Sequence, residues 1–195
     1  MDMVVFCAVK HSKNYVETQE KFEQTFALAY ISRFILAYGL KEILEKAPSP
    51  IILSVCAPGM KGKIDWDDLQ HKKHFQPQNV MYHGSRLNDL LGVAFAQNDT
   101  IGRIKYILYN PWAVTTSGMM ETFDSKIMKL VFRIIGKPAE KAVEPLVELL
   151  ENPPASSLSA YKERKKISLA MDTFNEENAQ KLYKTTMGLL KTGRD

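Results

Sequence analysis

Asp2-Met3-Val4-Val5-Phe6-Cys7-Ala8, Ile51-Ile52-Leu53-Ser54-Val55-Cys56 and Arg103-Ile104-Lys105-Tyr106-Ile107-Leu108-Tyr109 decide the fold. The first two are short, continuous apolar runs rich in β-branched residues, the pattern of strands buried on both faces of a parallel sheet. Between the runs lie helical patterns. Glu20 to Lys46 carries Phe22, Phe26, Leu28, Ile31, Phe34, Ile35, Tyr38, Leu40, Ile43 and Leu44, and Ala47-Pro48-Ser49-Pro50 ends it. Val80 to Gln97 carries Leu87, Leu90, Leu91, Val93, Ala94 and Phe95, and the third strand closes at Asn110-Pro111. Strand, helix, strand, helix, strand implies right-handed parallel crossovers.

The fold class is therefore α/β, a partial Rossmann-like doubly wound parallel sheet with its crevice at the carboxyl ends of the strands. Ala57 to Asn79 is an unusually long polar excursion between β-rich and helical segments. The last third predicts helices over 120–135 and 139–150 that cover a site or a sheet face, a short strand over 166–170, and a final amphipathic helix over 175–190. All of this reads as a single domain, residues 1–195.

Composition excludes several classes. A net charge of +4 spread along 195 residues is too mild for nucleic acid, and Lys162-Glu163-Arg164-Lys165-Lys166 reads as a solvated charge run. No apolar window reaches the roughly 18–20 residues of a membrane span, and the first residues lack the pattern of a secretory signal, so no membrane partner and a cytoplasmic location are expected. Two cysteines at the ends of apolar runs suit reduced thiols. Apolar groups wrap much of the 20–46 helix, so a homo-oligomer through the helices 20–46 and 80–97 is expected.

Tyr82-His83-Gly84-Ser85-Arg86 places a phenol and a cation one turn apart at a helix start. A cation beside a phenol favours phenolate and would let it exchange a proton with a carbonyl or an alcohol. His71 and His74 are spaced i, i+3 but lack further ligands at metal spacing, and Asp65, Asp67 and Asp68 read as turn and cap residues, so no metal is expected. Cys7 and Cys56, at the ends of neighbouring strands, are placed facing one crevice.

The chain resembles the short-chain dehydrogenase/reductase family, in its retinol-dehydrogenase-like branch. The resemblance rests on Phe22-Glu23-Gln24-Thr25-Phe26-Ala27-Leu28, Gly62-Lys63-Ile64-Asp65-Trp66-Asp67-Asp68-Leu69, Tyr82-His83-Gly84-Ser85-Arg86-Leu87-Asn88, Asn110-Pro111-Trp112-Ala113-Val114-Thr115-Thr116 and Phe174-Asn175-Glu176-Glu177-Asn178-Ala179. It implies an NAD(P)-dependent oxidoreductase of an alcohol or carbonyl, NAD or NADP being its cofactor and a small molecule its substrate. Tyr82 would be the acid/base, Arg86 would stand where the family has a lysine, and Cys56 where it has a serine, with Ser54 two positions back. Ala29 takes the place of the family's relay asparagine. Phe6-Cys7-Ala8-Val9 takes the place of an Asn-Asn-Ala-Gly turn. Ala8, Pro111 and Thr116 would contact the cofactor, although Trp112 replaces a glycine. No G-x-G-x-x-G occurs, so the chain reads as the family's C-terminal half, with on the order of 80 residues of nucleotide-binding portion absent at ~30 per βαβ unit. With these replacements the expectation is an inactive or impaired enzyme, the alternatives being a noncatalytic remnant that binds or associates, or a cofactor-independent metabolite-binding enzyme.

Overall fold

The structure, a computed structural model, describes residues 1–10, 12–115 and 126–192. Its centre is a five-stranded sheet in the order β1 (Met3–Phe6), β2 (Ile51–Val55), β3 (Lys105–Asn110), β4 (Leu158–Lys162) and β5 (Lys165–Lys166). The first four strands run parallel and β5 turns back antiparallel on β4. This is the expected α/β architecture, a partial Rossmann-like sheet with helices against both faces.

Strand alternation sorts the core into two layers. Phe6, Ile52, Tyr106, Leu108 and Ala160 point to one face and share a core with the helices of the first half of the chain and with Ala179 and Leu182 near its end. Ile51, Leu53, Ile107 and Tyr109 point to the other, where Leu146, Leu149 and Leu150 of α6 (Ala139–Glu151) cover them. β1 lies at the outer edge, and Met3 and Val5 on it are exposed.

The predicted 20–46 helix is built from pieces. It begins at α1 (Gln24–Phe26), passes through a π-helical turn over Ala27–Ile31, and continues as α2 (Ser32–Gly39) and α3 (Lys41–Leu44). Glu20 to Phe22 stay outside because Lys21 takes a left-handed φ of 65° and Glu23 caps the helix, its carboxylate accepting from the N–H groups of Thr25 and Phe26 at 2.9 and 2.7 Å.

α4 (Pro77–Asn98) starts three residues before the expected Val80 because Pro77 suits the first helical turn. It is the central helix, gripped between β3 and α7 (Glu176–Thr192), and more than half of its residues are buried in its own chain. The second apolar stripe on the 20–46 segment is also largely internal, since Tyr183 of α7 packs its ring 5.7 Å from Phe34 and 5.2 Å from Tyr38, and Tyr30 hydrogen-bonds Thr186 at 2.6 Å.

The last parallel strand is Leu158–Lys162, not 166–170. Its inward residues Ser159 and Ala160 are small, so the run lacks the bulk that marks the other strands. Glu163-Arg164 makes the tight turn to β5, with Glu163 at a left-handed φ of 53°. The basic stretch is thus a hairpin, and Arg164 forks onto Glu148 at 2.9 and 2.6 Å.

Candidate functional site

The polar excursion after β2 has no helix or strand before Pro77, and it folds back over the first turns of α4. Leu69 is buried, Ile64 and Trp66 pack on the main core, and two carboxylates shape its turns. Asp65 accepts from the N–H groups of Asp67 and Asp68, and Asp68 accepts from those of Lys72 and Lys73. Asp65 and Asp68 are turn residues, as expected, but they cap no helix, since the excursion has none before Pro77. Between this excursion and α4 lies a cavity of about 650 Å³ whose lining includes Lys61, Lys63, Trp66, His71, Tyr82 and His83. Its volume lies in the range of small-molecule sites.

Tyr82 stands on the cavity wall, 40% exposed. Arg86 does not join it there. The guanidinium is 5% exposed and donates from Nη1 to Asp89 Oδ2 at 3.2 Å, one turn further along α4. Gly62 permits this burial, because a Cβ there would sit 3.3 Å from Arg86 Cγ. Gly59, at a left-handed φ of 74°, donates its N–H to the same Asp89 oxygen at 3.1 Å. Burial pushes the Asp89 carboxyl up to about 7, against the Gly59 N–H and the Arg86 charge, which favour the ionised form.

Cys56 continues the β2 line and donates its N–H to Tyr109 O at 2.8 Å. Burial, with Asp89 adding, pushes its thiol up to about 12, so it is a neutral, weak donor at physiological pH. The two cysteines do not share a crevice. Register pairs Phe6 with Ser54, which carries Ala8 to the level of Cys56 and turns Cys7 to the opposite face.

Two polar groups that sequence reasoning missed hold the strand ends. Arg33, buried on α2, donates to Ser54 Oγ and Val55 O at 2.9 Å, Asn88 Oδ1 at 3.2 Å and Ala8 O at 3.1 Å. Asn88 donates to Ala29 O at 2.9 Å and Gly84 O at 2.8 Å. Ala29, assigned to the family's asparagine position, thus contributes a carbonyl at the π-helical turn, and Ser54 is fully buried under Arg33. The available signal was a lone arginine inside an apolar run, and Asn88-Asp89 within the apolar stretch of α4.

Of the positions assigned to a cofactor, Ala8 has its carbonyl occupied by Arg33. Pro111 is followed by Trp112 at a left-handed φ of 64°, with the Lys162 ammonium 3.2 Å from the ring centroid. Thr116 lies outside the described residues. His83 is buried edge-on to His71 at 4.7 Å between ring centroids, and burial with the neighbouring imidazole pushes it down to about 4. Both imidazoles line the cavity as an edge-to-face pair, and no three-ligand metal cluster occurs among the described residues.

No family model and no curated protein matches the chain. Among solved structures, the crystal structure of an uncharacterized protein from Mycobacterium paratuberculosis aligns over 97% of this chain and 67% of its own, with a TM-score of 0.68 and 13% identity. That likeness is one of fold. It places the chain in the α/β, Rossmann-like class, and no helix among the described residues is long and apolar enough to cross a membrane.

Proposed function

We propose that the chain is a short-chain dehydrogenase scaffold that binds a small molecule without turning it over. The observation that carries this reading is the separation of Tyr82 from Arg86. A relay needs the cation beside the phenol, and here the cation is buried against Asp89 while the phenol faces the cavity. Cys56, in the serine position, holds a neutral thiol where a strong hydrogen-bond donor would orient a carbonyl.

The residues present do not fit a nicotinamide dinucleotide in the manner the resemblance implies. Arg86 is occupied, the Ala8 carbonyl is taken, and an indole under an ammonium stands beside Pro111. The cavity beside Tyr82 supports a ligand of small size and mixed polarity instead, between Trp66, the imidazoles, and the lysines and aspartates of the excursion. Self-association, where it occurs, would use Ile35, Leu36 and Ile43, which α2 and α3 leave exposed, and sizing of the purified chain measures it.

The test pairs two titrations. NADH and NADPH are followed by nicotinamide fluorescence with a panel of alcohols, aldehydes and ketones, and the same panel is followed by Trp66 fluorescence in a Trp112→Phe background, which leaves Trp66 the sole tryptophan. The expected result is saturable Trp66 quenching by members of the panel and no turnover. Turnover that disappears in Tyr82→Phe establishes the competing reading, an NAD(P)-dependent oxidoreductase, which the position of Tyr82 on the cavity wall favours. A Trp66 signal indifferent to the whole panel refutes the binding reading.

A further inference from the structure

α5 (Lys126–Ile135) leaves its apolar side outside the fold. Ile127, Leu130, Val131, Ile134 and Ile135 are 74, 58, 40, 75 and 50% exposed, and their spacing of i, i+3, i+4, i+7 and i+8 makes one continuous stripe. The sequence led to the opposite expectation, that a helix here covers a site or a sheet face; α6 performs that task for the sheet. The charged residues in the α5 sequence are Lys126, Lys129 and Arg133, all cationic. No Asp or Glu occurs from Lys126 to Ala139; Lys137, just beyond the helix, already pairs with Glu163.

We propose that α5 is a surface-seeking helix that lays its apolar stripe into the headgroup boundary of an anionic phospholipid membrane. A ten-residue helix is ~15 Å long, half of the roughly 30 Å hydrocarbon thickness, so it lies in the interface and does not span it. An exposed apolar stripe on a segment whose charged residues are all cationic is the composition that such binding requires, because lipid burial and attraction to anionic headgroups act together. A second copy of the chain is a poorer occupant. A self-contact of α5 would offer its cations no acidic group, and of the four glutamates on a partner's α6, Glu144 and Glu148 already meet Arg164.

The experiment is co-sedimentation of the full chain with phosphatidylcholine vesicles prepared with and without phosphatidylserine. Binding is expected to the phosphatidylserine vesicles and to weaken with added salt. Neutralising the cations in Lys126→Gln, Lys129→Gln, Arg133→Gln should weaken it about a hundredfold, at roughly a factor of five per cation. Ile127→Glu with Ile134→Glu should abolish it, and because both side chains are largely exposed the far-UV circular dichroism should not change. Three outcomes overturn the proposal: no sedimentation with either vesicle, binding that survives Ile127→Glu with Ile134→Glu, or indifference to vesicles together with a dimer that the same pair of substitutions dissociates.

Discussion

Replacing Asp89 by asparagine should uncover a pH dependence of stability that His83 otherwise cancels. Both groups lie on α4 and both are buried. The Asp89 carboxyl, ordinarily near 3.8, is pushed up to about 7, so the folded state holds its proton more tightly than the unfolded chain does. Its contribution is fully present below pH 3.8 and is lost as pH rises through 7, a range worth at most about 4 kcal/mol at ~1.4 kcal/mol per unit. His83 runs the other way. Its imidazole, ordinarily near 6.5, is held down to about 4, so its contribution is present above 6.5 and is lost as pH falls through 4, a range of about 3 kcal/mol. Between pH 4 and 6.5 the two slopes oppose each other. In urea denaturation followed by far-UV circular dichroism across this interval, the unfolding free energy of Asp89→Asn should climb by up to about 3 kcal/mol relative to wild type. His83→Gln should fall by a similar amount, and the double variant should run parallel to wild type. The remaining titrating groups are common to all four proteins and drop out of the differences. A profile of Asp89→Asn parallel to that of wild type refutes the reasoning.

Arg33→Ala strands the Ala8 and Val55 carbonyls at the strand ends and should cost about 3 kcal/mol or more, lowering Tm by roughly 6–12 °C in a thermal melt; a loss under about 1 kcal/mol would show that Arg33 does not bridge β1 and β2. Gly92→Ala should destabilise by about 1–3 kcal/mol despite alanine's better helix propensity, because the new Cβ lies 3.1 Å from both Leu108 Cδ1 and Leu158 Cδ1; a gain in the denaturation midpoint would contradict so close an approach of α4 to the sheet. Native-state labelling with a chromogenic disulfide should modify exposed Cys7 quickly and Cys56 only slowly, since its thiol is pushed up to about 12, and two equally fast thiols would be inconsistent with the site described.

The strands that announce themselves in the sequence are those whose two faces are both filled by large side chains. β2 and β3 are such strands, and their parallel pairing follows from the helix between them. β4 escaped because its centre is Ser159 and Ala160, and small inward residues carry no hydrophobic signal, although both are fully buried. The break in the 20–46 helix was equally silent, since Ala27-Leu28-Ala29-Tyr30-Ile31 has good helical composition and the π-helical turn is set by what packs on it. At the site, the position of Tyr82 was legible from helical spacing, but the direction of Arg86 was not. Spacing of i, i+4 states only that two residues share a helical stripe; which neighbour a long side chain meets depends on Asp89 at i+3 and on a loop arriving from elsewhere in the chain.

Arginine at position 86 is the residue that such a buried arrangement calls for. Its guanidinium stays charged in a low-dielectric setting where a lysine ammonium would give up its proton, and it reaches Asp89 Oδ2 from Nη1 at 3.2 Å. Asp89 in turn holds the Gly59 N–H, and Gly62 lies on the Arg86 stem, so the ion pair fastens the excursion to α4 at two points. A buried ion pair adds little net stability compared with an apolar contact, but breaking it leaves an uncompensated charge, and this fixes the loop in one place. The loop so fixed is the wall that faces Tyr82 across the cavity. The cation at position 86 therefore serves to build the wall opposite Tyr82, and lysine there would weaken that wall.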